Sequence, residues 1–206
     1  GLSIDKILTA EAFHNAMVVL LAIGGSTNGI VHLAAIAGRM GIALDLAELD
    51  SLGRNTPVLV DLKPSGQHYM EHFHAAGGMG TLLRELRPLL KLNALTVTGR
   101  SLGEEIDRVG AAFKQDVIRP LNNPIYAQGG IAYLQGNLAP GGAIIKQSAA
   151  SAALMEHEGR AVVFKNLEDL ALRIDDLNLD VQAEDVLVLQ NIGPLGGPGM
   201  PEAGYI

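Results

Sequence analysis

The chain has 206 residues, a formal net charge of −7 from 15 Lys and Arg against 22 Asp and Glu, and 48% hydrophobic residues. That is a globular composition, long enough to bury a core in one or two domains. An acidic balance with thinly spread basic residues excludes the clustered basic face that nucleic acid requires. Cysteine is absent, which removes disulfides, thiolate zinc sites, a cysteine nucleophile and any iron–sulfur cluster ligated by this chain's own cysteines.

The longest apolar run, 16–23, is far short of the roughly 20 residues that span a bilayer and reads as a buried helix. With no signal peptide either, the expectation is a cytoplasmic protein with no membrane partner. The chain opens on Gly1 and stops at Ile206, so it reads as a piece of something longer.

In chain order, Thr9 caps a first helix whose apolar positions Phe13, Met17, Leu20 and Leu21 follow helical spacing. Gly24-Gly25-Ser26-Thr27-Asn28 interrupts it, and a second helix is predicted over 29–40 with Gly41 as its stop. Asp45 and Glu48 resemble a capping box opening a short helix to Leu52. A buried strand is predicted over 57–62, ended by a Pro64-Ser65-Gly66 turn. Helices over 67–76 and 81–89 follow, separated by Gly77-Gly78, then a strand over 94–98 and a helix capped by Ser101 with Glu104. Near residue 116 the character changes. Short apolar runs at 117–118, 131–134, 143–146, 161–164 and 186–189 alternate with Gly/Pro turns, a β-rich signature broken by one helix over 166–173 capped by Asn166. The fold class is α/β: a helix-rich α/β segment followed by a β-rich one.

Three stretches invite chemistry. The turn 24–28 offers close backbone approach, two hydroxyls and a carboxamide at a helix N-terminus, which suits a carboxylate or phosphate; an ordinary helix–helix turn capped by Asn28 has the same residues. His32 lies one helical turn beyond Asn28, as an orienting group or a core histidine. His68, His72 and His74 carry no H-E-x-x-H pattern, and a helix surface explains them better than a metal site. Gly193-Pro-Leu-Gly-Gly-Pro-Gly-Met-Pro-Glu202 is a loop stiffened by glycines and prolines that ends on one carboxylate. It is read as a hard-cation ligand or as a structural loop. The loop 136–142 has the same rigid-turn chemistry, with Lys146 beyond it.

Together these segments resemble the dihydroxy-acid, phosphogluconate and sugar-acid dehydratase family. The resemblance rests on Gly24-Gly-Ser-Thr-Asn-Gly-Ile-Val-His32-Leu-Ala-Ala-Ile-Ala37, Val60-Asp-Leu-Lys-Pro-Ser-Gly66, Leu95-Thr-Val-Thr-Gly99, Val117-Ile-Arg-Pro-Leu121, Gly136-Asn-Leu-Ala-Pro140 and Gly197-Pro-Gly-Met-Pro-Glu202, in order across the chain. Ile145-Lys-Gln-Ser-Ala-Ala-Ser151 and Arg173-Ile-Asp-Asp176 look closer to the sugar-acid branch, the arabonate and xylonate type, than to the branched-chain amino-acid branch.

The resemblance implies a hydro-lyase that removes water from a 2,3-dihydroxy acid to leave a 2-keto-3-deoxy acid. An iron–sulfur cluster acts as Lewis acid on the leaving 3-hydroxyl, and Mg²⁺ sits near the substrate. It implies that 1–115 is the later part of a cluster-bearing α/β domain and 116–206 the start of a β-rich, swivelling-barrel domain, both incomplete. The family's cluster cysteines, with an Asp and an Asp-Lys pair for Mg²⁺, belong upstream of Gly1, and its serine base belongs downstream of Ile206. Only Glu202 maps onto a metal ligand and no residue onto a catalytic one, so the chain alone is expected to be inactive. Ser26, Thr27, Asn28, His32, Lys146 and Ser148 are the expected substrate-proximal residues. The parent's partners are a small sugar acid and other copies of itself. The alternatives are a cluster-free sugar-acid binding or regulatory module, or one subunit of a split dehydratase.

Overall fold

A computed structural model describes residues 1–192, apart from the side chains of Leu46, Ala47 and Ser148. The chain divides into two compact units, 1–149 and 150–206. The helices before residue 108 are α1 (Ile4–Ile7), α2 (Ala10–Ala22), α3 (Thr27–Arg39), α4 (Leu46–Asn55), α5 (Met70–Ala75), α6 (Gly78–Glu85) and α7 (Leu102–Asp107). Strands β1 (Ile131–Leu134), β2 (Ala143–Lys146), β3 (Ala161–Phe164) and β4 (Val186–Leu189) follow, with α8 (Leu167–Arg173) between the last two. A helical segment therefore precedes a segment carrying the strands, as composition indicated.

In the first unit α2 is the central element, buried on two faces. Val18 and Ala22, one helical turn apart, join Leu59, Val60, Phe73, Leu82, Leu86, Ile106, Val117 and Ile118 in one cluster. Met17 and Leu21, also one turn apart, join Ile30, Leu49 and Ile131 in a second. The Thr9 hydroxyl accepts the Ala12 amide and caps α2 as the sequence indicates. Buried Asn15 is satisfied by exchanging two hydrogen bonds with the Lys91 backbone, at 3.0 and 2.7 Å.

Several expected elements change. The second helix starts two residues early, at Thr27, because Ser26 supplies the cap rather than Asn28. It ends as expected: Gly41 is left-handed (φ +71°), its amide donating to Gly38 O and that of Ile42 to Ala37 O. The segment 57–62 is buried and extended but forms isolated bridges, Val58 with Tyr126 and Val60 with Ile118. Its partner run contains Pro120 and Pro124, which lack the N–H a continuous ladder needs. The strand expected over 94–98 is a tight turn, with Thr96 N donating to Arg100 O across a left-handed Gly99 (φ +83°). The helices expected over 67–76 and 81–89 occupy Met70–Ala75 and Gly78–Glu85, where left-handed Gly77 lets the chain re-enter the helix.

The two compact units divide after residue 149, beyond residue 116 where the sequence reading opens its second domain. Val117, Ile118 and Ile131 are among the most buried residues of the first unit, and an apolar segment so placed stays with the core it fills. β1 and β2 form an antiparallel hairpin, Ile131 opposite Lys146 and Leu134 opposite Ala143, with β1 packed on α4.

The second unit is a β3–α8–β4 crossover whose strands pair in parallel, Ala161 with Val186 and Phe164 with Leu189. Val162, Phe164 and Leu170 form its core. Asn166 caps α8 by accepting the Asp169 amide. The Arg160 guanidinium grips Asp180 and, in two-pronged fashion, Asp185, holding both carboxyls below the ordinary carboxylate range.

Candidate functional site

The turn between α2 and α3 is the place where several predicted residues meet. Gly24 is left-handed (φ +61°), and its amide and that of Gly25 close on Leu21 O and Leu20 O. A methyl group on Gly25 would sit 2.9 Å from the Leu20 carbonyl oxygen, and one on Gly29 would overlap the Leu20 side chain at 2.7 Å. The fixed Leu20 carbonyl therefore accounts for Gly25, while at Gly29 the contact is with the movable Leu20 side chain. Ser26 is exposed, and its hydroxyl and carbonyl accept the Asn28 and Gly29 amides at 3.2 and 3.0 Å. Those two amides, open to a ligand in the sequence reading, serve the helix cap. Thr27 and Asn28 are half-buried. His32 is exposed on α3, and its ring makes no hydrogen bond to a described residue.

Lys146 reaches this turn from far along the chain: its Nζ donates to Gly24 O at 2.8 Å, from a half-buried position. Strand alternation explains the reach. Ile131 pairs with Lys146 and Tyr133 with Ile144, so these four side chains share one face of the hairpin. That face is the one on which Ile131 and Ile144 join the α2–α4 cluster, and β2 packs on α3. Ser148 lies in the 3-10 turn Gln147–Ala149, and its side chain lies outside the described set. Glu202 and the loop 193–202 also lie outside the described residues.

Beside the turn runs a narrow cleft bordered by Gly24, Asp61, Ser65, Gly66, Tyr126 and Gly130. It shares Tyr126 and Gly130 with a wider depression that reaches Gln147. In the 61–68 loop on the cleft's far side the sequence singles out only His68, and only for the metal reading. Asp61 Oδ1 accepts the Gln67 amide at 3.0 Å, and Oδ2 lies 3.7 Å from His68 Nε2. Gly66 is obligatory, since a methyl there would lie 2.6 Å from the Leu62 nitrogen. The Pro-Ser-Gly run was the available signal, but sequence does not disclose that it folds back towards Gly24.

Of the three histidines, His68 and His72 meet edge to face with ring centroids 5.4 Å apart. His68 precedes α5 and bridges Leu62, while His72 Nδ1 accepts the Tyr69 amide at 3.0 Å at the start of that helix. Among the described residues no three His, Asp or Glu side chains are placed to hold a metal ion. With no cysteine in the chain, an iron–sulfur cluster finds no thiolate here. No helix of the described residues is long and apolar enough to cross a membrane.

An apolar α2 with a glycine-tight exit, a hairpin lysine bonded back to that exit and a β3–α8–β4 crossover are joined in sequence to the family's motifs. The chain belongs to the dihydroxy-acid/6-phosphogluconate dehydratase family: the model of its N-terminal region matches residues 1–105 and that of its C-terminal region residues 116–206. It is similar to an L-arabonate dehydratase of Azospirillum brasilense, with 51% identity covering 99% of this chain and 35% of the relative. An L-arabinonate dehydratase of Rhizobium leguminosarum bv. trifolii is 46% identical over 97% of this chain and 35% of its own length. A dihydroxy-acid dehydratase of Caldicellulosiruptor bescii is 46% identical over 96% and 36%. The chain thus spans about a third of the length of these relatives.

Proposed function

We propose that this chain is part of a cytoplasmic, homo-oligomeric hydro-lyase that dehydrates a sugar acid of the arabonate or xylonate type to its 2-keto-3-deoxy acid. The observation that carries this reading is the likeness over nearly the whole chain to relatives named for L-arabonate and L-arabinonate. An iron–sulfur cluster and Mg²⁺ belong to the whole enzyme on this reading. This chain does not fit the cluster, which needs thiolates from elsewhere.

What these residues contribute is positioning. The α2–α3 turn, with Ser26, Thr27, Asn28 and His32, forms part of the substrate's surroundings, Lys146 and Ser148 approach from the hairpin side, and Glu202 is the chain's Mg²⁺ ligand. A carboxylate closing a Gly/Pro-stiffened loop loses little further entropy on meeting a hard cation. Residues 1–115 close the cluster-bearing domain and 116–206 open the β-rich one. Alone, the chain has neither cluster nor base and does not turn over.

The test is to assay the parent enzyme and the 206-residue chain with L-arabonate, D-xylonate and a branched-chain 2,3-dihydroxy acid. The parent is expected to prefer the sugar acids, the chain to be inactive, and parental Glu202→Gln to lose about 100-fold or more in kcat with its fold intact. Turnover by the chain alone overturns this reading. So does sugar-acid binding without dehydration by the parent, the mark of a binding module. Unchanged activity of the Gln variant at limiting Mg²⁺ removes Glu202 from the metal site.

A further inference from the structure

We propose that Lys146 is a positioning residue for the α2–α3 turn: its ammonium holds the Gly24 carbonyl and so sets the backbone that presents Ser26, Thr27 and Asn28. The two residues are 122 positions apart, and they lie in the segments matched by the C-terminal and N-terminal family models respectively. The exit of α2 is otherwise bonded within its neighbourhood. Ile23, Gly24 and Gly25 donate to Val19, Leu21 and Leu20, and Ala22 O takes the Leu59 amide at 2.8 Å. Gly24 O receives no backbone N–H from a described residue and takes the lysine instead.

The acceptor is neutral, and no carboxylate of a described residue lies within ion-pair distance of Lys146. A cation at the C-terminal end of a 13-residue helix is favoured by the carbonyl dipoles there. Gly24 is already in the left-handed region, where the backbone has many ways to relax once its carbonyl is released. The lysine is itself fixed from behind. Its strand alternates with Ile144, which packs on the α2–α4 cluster, and the next amide, that of Gln147, donates to Gly130 O at 2.8 Å. The early part of the C-terminal family segment is thus built into the first unit, and Lys146 is where it governs the turn.

The role in catalysis rests on the reading of this turn as substrate-facing; the role in ordering the turn does not, and the experiment separates the two. Amide exchange is measured on the full 206-residue chain for wild type, Lys146→Met and Lys146→Arg. Loss of the charged donor is expected to speed exchange at Gly24, Gly25, Asn28 and Gly29 about tenfold or more, leaving Glu105 in α7 and Leu170 in α8 unchanged. Arginine, which keeps a donor and the charge, is expected to restore protection. If the Met variant loses protection throughout, Lys146→Gln, with a shorter stem and an uncharged N–H, replaces it in the same comparison. Wild-type exchange at the turn in the neutral variant overturns the proposal, as does failure of arginine to rescue.

In the parent enzyme the Met variant is expected to raise KM for the sugar acid about tenfold or more with a smaller loss in kcat, and arginine to recover both. Faster exchange with unchanged kinetics leaves Lys146 as the turn's positioning residue and refutes the turn's place at the substrate. Altered kinetics with unchanged exchange refute the positioning role.

Discussion

Two glycine-to-alanine changes, one in the α2–α3 turn at Gly25 and one near the far end of α3 at Gly38, test whether close packing dictates the turn's sequence. In Gly25→Ala the new methyl lies 2.9 Å from Leu20 O and 3.1 Å from Leu20 Cγ, where non-bonded carbons rest about 3.5–4.0 Å apart. The leucine side chain can rotate away, but its carbonyl cannot, because it accepts the Gly25 amide at 2.9 Å. Overpacking of this kind costs about 1–3 kcal/mol, and the stiffer unfolded chain returns about 0.4–1 kcal/mol, so the net loss is about 1–2 kcal/mol. In Gly38→Ala, within α3, the methyl meets nothing within 4 Å. Helix propensity alone then applies, a gain of about 0.5–1 kcal/mol.

Urea unfolding followed by tyrosine emission reads chiefly the first unit, since the chain has no tryptophan and three of its four tyrosines, Tyr69, Tyr126 and Tyr133, lie there. With a slope of about 2 kcal/mol/M, the midpoint is expected to fall by about 0.5–1 M for Gly25→Ala and to rise by about 0.3–0.5 M for Gly38→Ala. A Gly25→Ala midpoint at or above wild type refutes the packing account of the turn.

Two further outcomes concern the second unit. Phe164→Ala removes the only aromatic ring among the described residues of a core that also holds buried Val162 and Leu170, with Ile174, Leu179, Leu187 and Leu189 packed on it; it is expected to cost about 3–5 kcal/mol and to abolish amide protection at Leu170, and retained protection there refutes it. Asp180 and Asp185 have folded-state values depressed by Arg160, so their stabilisation is complete above the unfolded carboxylate value of about 3.9 and is lost as pH falls through the folded values. Arg160→Met is expected to lower the unit's stability at pH 7 and to flatten its loss between about pH 5 and pH 2, read by Leu170 methyl NMR in urea; an acid limb as steep as wild type refutes the assignment.

Local chemistry was legible where one or two neighbouring residues decide the backbone. Thr9, Ser101 and Asn166 each cap a helix with their own side-chain oxygens, and Gly41 stops α3 because it can turn left-handed. The four strands 131–134, 143–146, 161–164 and 186–189 have the bounds that their apolar runs and flanking turns indicate. The family was legible too, because its motifs are written as contiguous residues.

What only the tertiary structure decided depends on residues far apart in the chain. The same apolar run at 57–62 that looks like a strand remains a set of isolated bridges, since the prolines of its partner run lie some sixty residues on. Whether β3 pairs parallel or antiparallel with β4 is set by the α8 crossover and its packing on Phe164, not by the strands' composition. The apolar faces of Val117, Ile118 and Ile131 name no partner in sequence, yet burial against α2 and its neighbours places them in the first unit. Lys146 is the sharpest case. Alternation tells which face of β2 it shares with Ile144, but its hydrogen bond to Gly24 exists only because two separate stretches bury their apolar sides against the same helix. Burial is non-directional and sums over distant residues, so a local reading recovers the elements and leaves their partners to the fold.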